Sequence, residues 1–214
     1  MSKKSERRSE RATYRHGDLH GALVRAGLDL ARDGGPEAVV LREATRRAGV
    51  APSAAYRHFA DREALLAAVC SAAQAEFARA IEAEQAAVDP GLAGVALARA
   101  RFWAVGLGYM GFARREPGLF QAAFWLSRDL NRATSPERRG ETGLTPFELL
   151  GAALDGLVAA GVLPPERRPG AELLAWSAVH GLATLRTEGP LGGLPADQIE
   201  ALERRLVESV ERGL

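Results

Sequence analysis

The sequence has one cysteine, Cys70, in 214 residues. A lone thiol cannot close a disulfide within the chain, so burial alone must hold the fold, and a reducing compartment is the simpler setting. Set among Leu65, Leu66, Val69 and Ala73, Cys70 reads as a small buried apolar residue rather than a redox sensor. β-Branched residues are few and no regular alternation of apolar and polar residues persists, which argues against a sheet protein. An all-α class, built from the abundant alanine, leucine and arginine, is favoured. No uncharged run is long enough to cross a bilayer, and no apolar segment of a signal peptide follows the charged N-terminus. A soluble, cytoplasmic protein with no membrane partner is expected. Also missing are a glycine-rich phosphate loop, a nucleophile beside a base, paired carboxylates and metal-ligand spacing. The four histidines are scattered; His16 and His20, four residues apart, share a helical face, but no Cys, Asp or Glu cluster completes a metal site. The chain is read as no enzyme, with no cofactor and no metal.

Net charge is +1, yet the two signs are unevenly placed. Residues 1–60 carry 12 Lys and Arg against 7 Asp and Glu, whereas residues 61–214 carry 16 against 20. The basic end is therefore the candidate polyanion-binding end. Residues 1–15 hold Lys3, Lys4, Arg7, Arg8, Arg11 and Arg15 against Glu6 and Glu10, a composition that cannot bury itself and predicts a disordered arm. Such an arm is either a solvated tail or a segment that follows DNA. Arg11 and Arg15, nearest the folded domain, are its candidate DNA contacts.

A first helix is expected from about Gly17 to Arg32, with Leu19, Leu23, Ala26 and Leu30 facing a small core and Gly34-Gly35-Pro36 ending it. The next stretch, Leu41 to Leu66, reads as a short helix, a tight turn at Gly49-Val50-Ala51, a second short helix from Pro52 to His58, and the start of a third. Ala44, Thr45 and Ala48 are small enough to let another helix approach, and Gly49 supplies the left-handed conformation that leaves a helix. Pro52 at a first helical position loses no hydrogen bond. This is the helix-turn-helix pattern, whose second helix enters the DNA major groove.

The order Ala-Gly-Val at 48–50, Ala-Tyr-Arg-His-Phe at 55–59 and Ala-Asp-Arg-Glu-Ala-Leu-Leu at 60–66 resembles the DNA-binding region of the TetR family of bacterial transcriptional regulators. His16-Gly17-Asp18-Leu19 lies where that family's first helix begins, and Trp176 to Leu182 is similar to the Trp-x-x-x-His-Gly segment in the regulatory domain of one TetR subgroup. The resemblance implies a basic arm at 1–15, a three-helix helix-turn-helix DNA-binding domain at 16–62, and a larger helical effector-binding and dimerisation domain at 63–214. It also implies that Arg42, Pro52, Ser53 and Ala54 face base edges while Tyr56, His58 and Arg62 contact phosphates. A phenol, an imidazole and a guanidinium all donate to phosphate oxygen, fixing register without reading sequence. Pro52, Ala54 and Ala55 offer bases no hydrogen bond and Ser53 a single hydroxyl, so direct readout falls mainly on Arg42, Ser53 and alanine contacts to thymine methyls. DNA shape supplies the rest. The chain departs from the family at Val40 and Ala51, where a serine or threonine N-cap is usual; a missing cap typically costs about 1 kcal/mol.

Asp61 is a good N-cap for a helix running to about Val88, too long for the small domain alone and so a lever to the rest. Beyond the break at Asp89-Pro90-Gly91, helices from about Leu92 to Arg114 and from Glu116-Pro117 to Trp125 hold eight of the chain's fifteen Phe, Trp, Tyr and Met residues within 24 positions. The interleaved Gly106, Gly108 and Gly111 each weaken a helix by about 1 kcal/mol against alanine, so a packing or cavity reason is expected. Phe102, Trp103, Tyr109, Met110, Phe120, Phe124 and Trp125, with Trp176 and His180 from a later helix, are the candidate effector-binding residues. The alternative is a packed aromatic core, and His180 is either an interface histidine or the polar group that orients a ligand. Residues 127–145 are polar and turn-rich, a mobile loop able to gate a pocket. Amphipathic helices follow at about 145–161 and 171–187, the second apolar on more than one face; with the resemblance, this implies a four-helix homodimer interface. A last helix runs from Asp197 to about Arg212.

The expected function is transcription regulation by a homodimeric repressor that a small apolar or aromatic effector releases from a palindromic operator. The alternatives are a constitutive DNA-binding protein without an effector and, last, an enzyme using the aromatic pocket.

Overall fold

A computed structural model describes residues 18–126 and 130–214, which form nine α-helices joined by turns, with no strand among the described residues. Helix α1 (Leu19–Gly34) is opened by Asp18, whose Oδ1 accepts from Gly21 N at 2.8 Å, and is left through Gly35 at φ 68°. A 3-10 turn, Pro36–Ala38, leads into α2 (Leu41–Ala48) and α3 (Pro52–Ala55). Helix α4 (Arg62–Ala86) starts where Asp61 Oδ1 accepts from Ala64 N at 2.8 Å. Leu23 and Leu30 of α1, Ala44 of α2, Ala55 and Phe59 at α3, and Leu65 and Val69 of α4 are buried together. This is the core expected for the helix-turn-helix unit. Helix α1 passes α4 so closely that a Cβ at Gly27 would collide with Val69 Cγ2.

The remaining helices build a larger body around the far half of α4. Helix α5 (Gly94–Arg115) packs along α4, and α6 (Pro117–Trp125) lies against both α4 and α1. Helices α7 (Pro146–Ala159) and α8 (Ala171–Thr187) cover α5, and α9 (Ala196–Gly213) rests on α5 and α8. Helix α7 opens on a capping box: Glu148 N donates to Thr145 Oγ1 at 3.2 Å and Thr145 N donates to Glu148 Oε2 at 2.9 Å. By length and composition α4 is apolar enough to cross a membrane, which its scattered charges conceal in the sequence, but most of it is buried inside the protein as the central core helix.

Two local expectations change. The second short helix, expected through His58, is regular to Ala55 and then tightens into a turn, in which Arg57 N donates to Ala54 O at 3.4 Å and His58 N to Ala55 O at 2.9 Å. The segment read as a mobile loop is instead docked on α4 over 136–145. Glu82 accepts from Glu141 N (2.9 Å), Thr142 N (2.9 Å) and Thr142 Oγ1 (2.6 Å), a clamp that fixes the loop's backbone.

Candidate nucleic-acid interface and ligand cavity

The turn between α2 and α3 is made by Gly49 in the left-handed region, φ 69° and ψ 35°, where a side chain would be strained. Neither Val40 nor Ala51 caps its helix with a side-chain hydrogen bond, as their residue types require. Thr45 is buried and its Oγ1 donates to Arg42 O at 2.8 Å, so the hydroxyl stabilises α2 from within. Arg42, Pro52, Ser53, Tyr56 and His58 are exposed and Ala54 is partly so, while Ala55 and Phe59 between them are buried. The ring of Tyr56, 61% exposed, takes no part in the core. His20 stacks on Phe59 at 4.8 Å and approaches His58 at 6.3 Å. Each of the described residues expected to touch DNA is thus open to solvent, and Arg62 is engaged with the protein as well. Arg62 Nε donates to Val39 O and its Nη2 to Pro36 O, both at 2.8 Å, so two of its three guanidinium nitrogens hold the loop before α2 while the side chain stays exposed. Arg11 and Arg15 lie outside the described residues.

In the larger body a cavity of about 350 Å³ opens between α4, α5, α6, α7, α8 and α9. Four of the nine expected effector residues line it: Phe102, Tyr109, Phe124 and Trp176. Phe120, Trp125 and His180, again with Phe124, line a second, more open cleft beside the 3-10 turn at Pro36. Tyr109 separates the two. Trp176 Nε1 donates to Tyr109 Oη at 3.2 Å, and the phenol in turn reaches His180 Nδ1 at 2.7 Å. Because an indole only donates, the phenolic proton is left for His180, whose Nδ1 then accepts. Burial pushes the Tyr109 pKa up and the His180 pKa down, so both are held neutral. Trp103 and Met110 line neither space. Trp103 faces α9, where its Nε1 donates to Glu211 Oε2 at 2.6 Å, and Met110 is buried in the core. One helical position away from Phe102 and Tyr109 turns a side chain by about 100°, which removes both from the cavity.

Residues 102–210 match the family described as tetracyclin repressor-like, C-terminal domain, and residues 23–69 match bacterial regulatory proteins of the tetR family. The chain belongs to the TetR family. Solved structures agree in fold. A Rhodococcus sp. RHA1 protein of unknown function is 28% identical, with TM-score 0.69, over 92% of this chain and 95% of that one. A TetR family transcription regulator from Marinobacter aquaeolei VT8 is 17% identical, with TM-score 0.59, over 92% and 97%. A TetR transcriptional regulator from Rhodococcus sp. RHA1 is 21% identical, with TM-score 0.51, over 89% and 93%. No curated protein matches the chain.

As a TetR-family member the chain is a DNA-binding transcription regulator, which is not a catalytic role. Its cavity contains residues that the sequence did not single out as ligand-facing. Gln74 and Phe77 enter from α4, Phe147 from α7 and Arg138 from the docked loop. Phe77 sits on the apolar stripe of α4 and is recoverable from helical period. Arg138 is not, since its position depends on the Glu82 clamp far along the chain.

Proposed function

We propose that this TetR-family chain is a cytoplasmic homodimeric repressor, released from a palindromic operator by a small apolar or aromatic effector. In this reading the arm is 1–15, the DNA-binding domain 16–62 and the effector-binding and dimerisation domain 63–214. The observation that carries it is the double duty of α4. Its Leu65, Leu66 and Val69 complete the core of the helix-turn-helix unit, while its Gln74 and Phe77, about two turns further on, line the cavity. A ligand that favours one setting of α4 over another shifts the population of DNA-competent dimers, to the extent of its differential affinity for the two states.

Arg42, Pro52, Ser53 and Ala54 face the bases, Tyr56 and His58 the phosphates, and Arg11 and Arg15 extend the contact from the arm. Two copies join through α7 and α8 and space the recognition helices by roughly 34–36 Å or a little more. The test is selection of bound sequences from random duplex DNA at two salt concentrations. A two-fold symmetric site, bound much more weakly at high salt, is expected. Arg42→Ala should relax preference at one base pair, by about 1–3 kcal/mol, whereas Tyr56→Phe should weaken all sequences alike. The reverse pattern would overturn the division of roles. Salt-sensitive binding without an enriched sequence would favour a constitutive DNA-binding protein.

A further inference from the structure

Arg138 is 3% exposed and lines the main cavity. Its Nε is buried without a hydrogen-bond partner, and the described groups that act on its guanidinium by charge are Cys70 and Glu137, which favour it, and Arg132, which opposes it. A buried cation without a close counter-charge is costly, and among the described residues no carboxylate is paired with Arg138. Other polar groups of the wall are engaged elsewhere: Gln74 Nε2 donates to Ala123 O at 2.9 Å, Trp176 Nε1 to Tyr109 Oη, and the Tyr109 phenol meets His180. Arg138 is the charged residue of a lining that is otherwise aliphatic and aromatic apart from Gln74. Its backbone is fixed in advance, with Arg138 N donating to Ser135 O at 3.0 Å and the following loop clamped by Glu82. Burial pushes its pKa below the usual arginine value, but a guanidinium remains charged.

Resting on the effector-cavity reading above, we infer that the cavity takes a monoanionic apolar acid, an aryl or alkyl carboxylic acid whose carboxylate pairs with Arg138 and whose hydrophobic part lies against Phe102, Phe124 and Trp176. The chemistry selects the class. The terminal nitrogens of a guanidinium offer N–H donors at the spacing of a carboxylate. Arg138 lines the cavity while the neighbouring Arg132 is exposed outside it, so one negative charge is balanced there and a phosphate monoester would bring a second into an apolar space. A volume near 350 Å³ is at the lower end for ligand pockets and suits a small acid rather than a large conjugate.

The experiment is titration calorimetry of the full chain with 4-phenylbutyrate and decanoate, each beside its neutral primary amide. Each acid should bind about tenfold or more tightly than its amide. In Arg138→Met the preference should vanish with amide binding retained, and Arg138→Lys should keep part of it. The ligand-free Arg138→Met protein should melt no lower than the native one, because an unpaired charge has been removed. A fall of several degrees would mean that the guanidinium already has a counter-charge within the chain, and would overturn the inference. Amides binding as well as acids would also overturn it while leaving an apolar effector cavity intact. Saturable binding of neither would overturn the cavity reading as well, and acids that bind without releasing DNA would overturn effector release alone.

Discussion

The Arg62 guanidinium joins the first turn of α4 to the loop between α1 and α2 through Val39 O and Pro36 O. Hydrogen bonds from a charged donor contribute more than neutral ones, but this side chain is exposed, so Arg62→Ala should destabilise the protein by only about 2 kcal/mol, measured by urea unfolding. The same variant should leave the slope of log affinity against log salt unchanged, because Nε and Nη2 are already bonded to backbone oxygens. A slope smaller by about 1 would show that Arg62 reaches phosphate after all. His180 allows a second residue-level prediction. Burial depresses its folded pKa below the unfolded value near 6.5, and its Nδ1 accepts from Tyr109 only when unprotonated. The unfolded chain therefore takes up the proton first. The contribution of the neutral ring is complete above about pH 6.5 and declines as pH falls through the unfolded value toward the folded one. Native stability should drop between pH 7.5 and 5.0, and His180→Asn, which keeps an acceptor but does not titrate, should drop less. Equal declines would acquit His180.

At the scale of elements, the three interior glycines of α5 separate into two with a packing reason and one without. A Cβ at Gly108 would lie 2.9 Å from Ile81 Cα, a backbone atom that cannot move aside, and one at Gly106 would meet Val207 Cγ2 at 2.8 Å. At Gly111 the nearest atom is the far end of Arg115, a flexible side chain. Gly108→Ala should destabilise by about 1–3 kcal/mol through overpacking of α4 on α5, despite the gain of about 1 kcal/mol in helix propensity. Gly111→Ala should be neutral or stabilising. Comparable thermal melts for the two variants would remove the close α4–α5 approach as the cause. That a cluster of glycines within an aromatic helix has a packing or cavity purpose was legible from the sequence, as were the helix order and the capping role of Asp61; the caps at Asp18 and Thr145 were not read from it. The division of the aromatics between two spaces was not, because pooling Phe102 with Trp103 and Tyr109 with Met110 ignores helical rotation. Arg138 was illegible for a different reason. A polar, proline-containing loop has no periodic signal, and its inward turn depends on three donors meeting Glu82 of a distant helix.

For the molecule as a whole, the uncovered side of α8 is where the dimer proposed above would join. Ala171, Ala175, Val179 and Ala183 recur every four residues and are buried against the body. The opposite side presents Leu174 at 66% exposure and Leu185 at 48%, with Gly181 between them and no atom near where its Cβ would be. Two exposed leucines spaced eleven residues apart, flanking a glycine, form a surface on which a second helix can lie close. In the dimer proposed here, each copy supplies one recognition helix, and binding of the first half-site raises the effective concentration of the second. Leu174→Glu should leave helix content and the melting of the isolated fold nearly unchanged, since the residue touches solvent in one chain. It should halve the mass measured by sedimentation and lower affinity for the two-fold site by about 10²–10⁴-fold, while a single half-site is bound as before. If the variant stays dimeric, the α8 face is not the joint, and if it becomes monomeric with full operator affinity, paired half-sites are not what the protein reads.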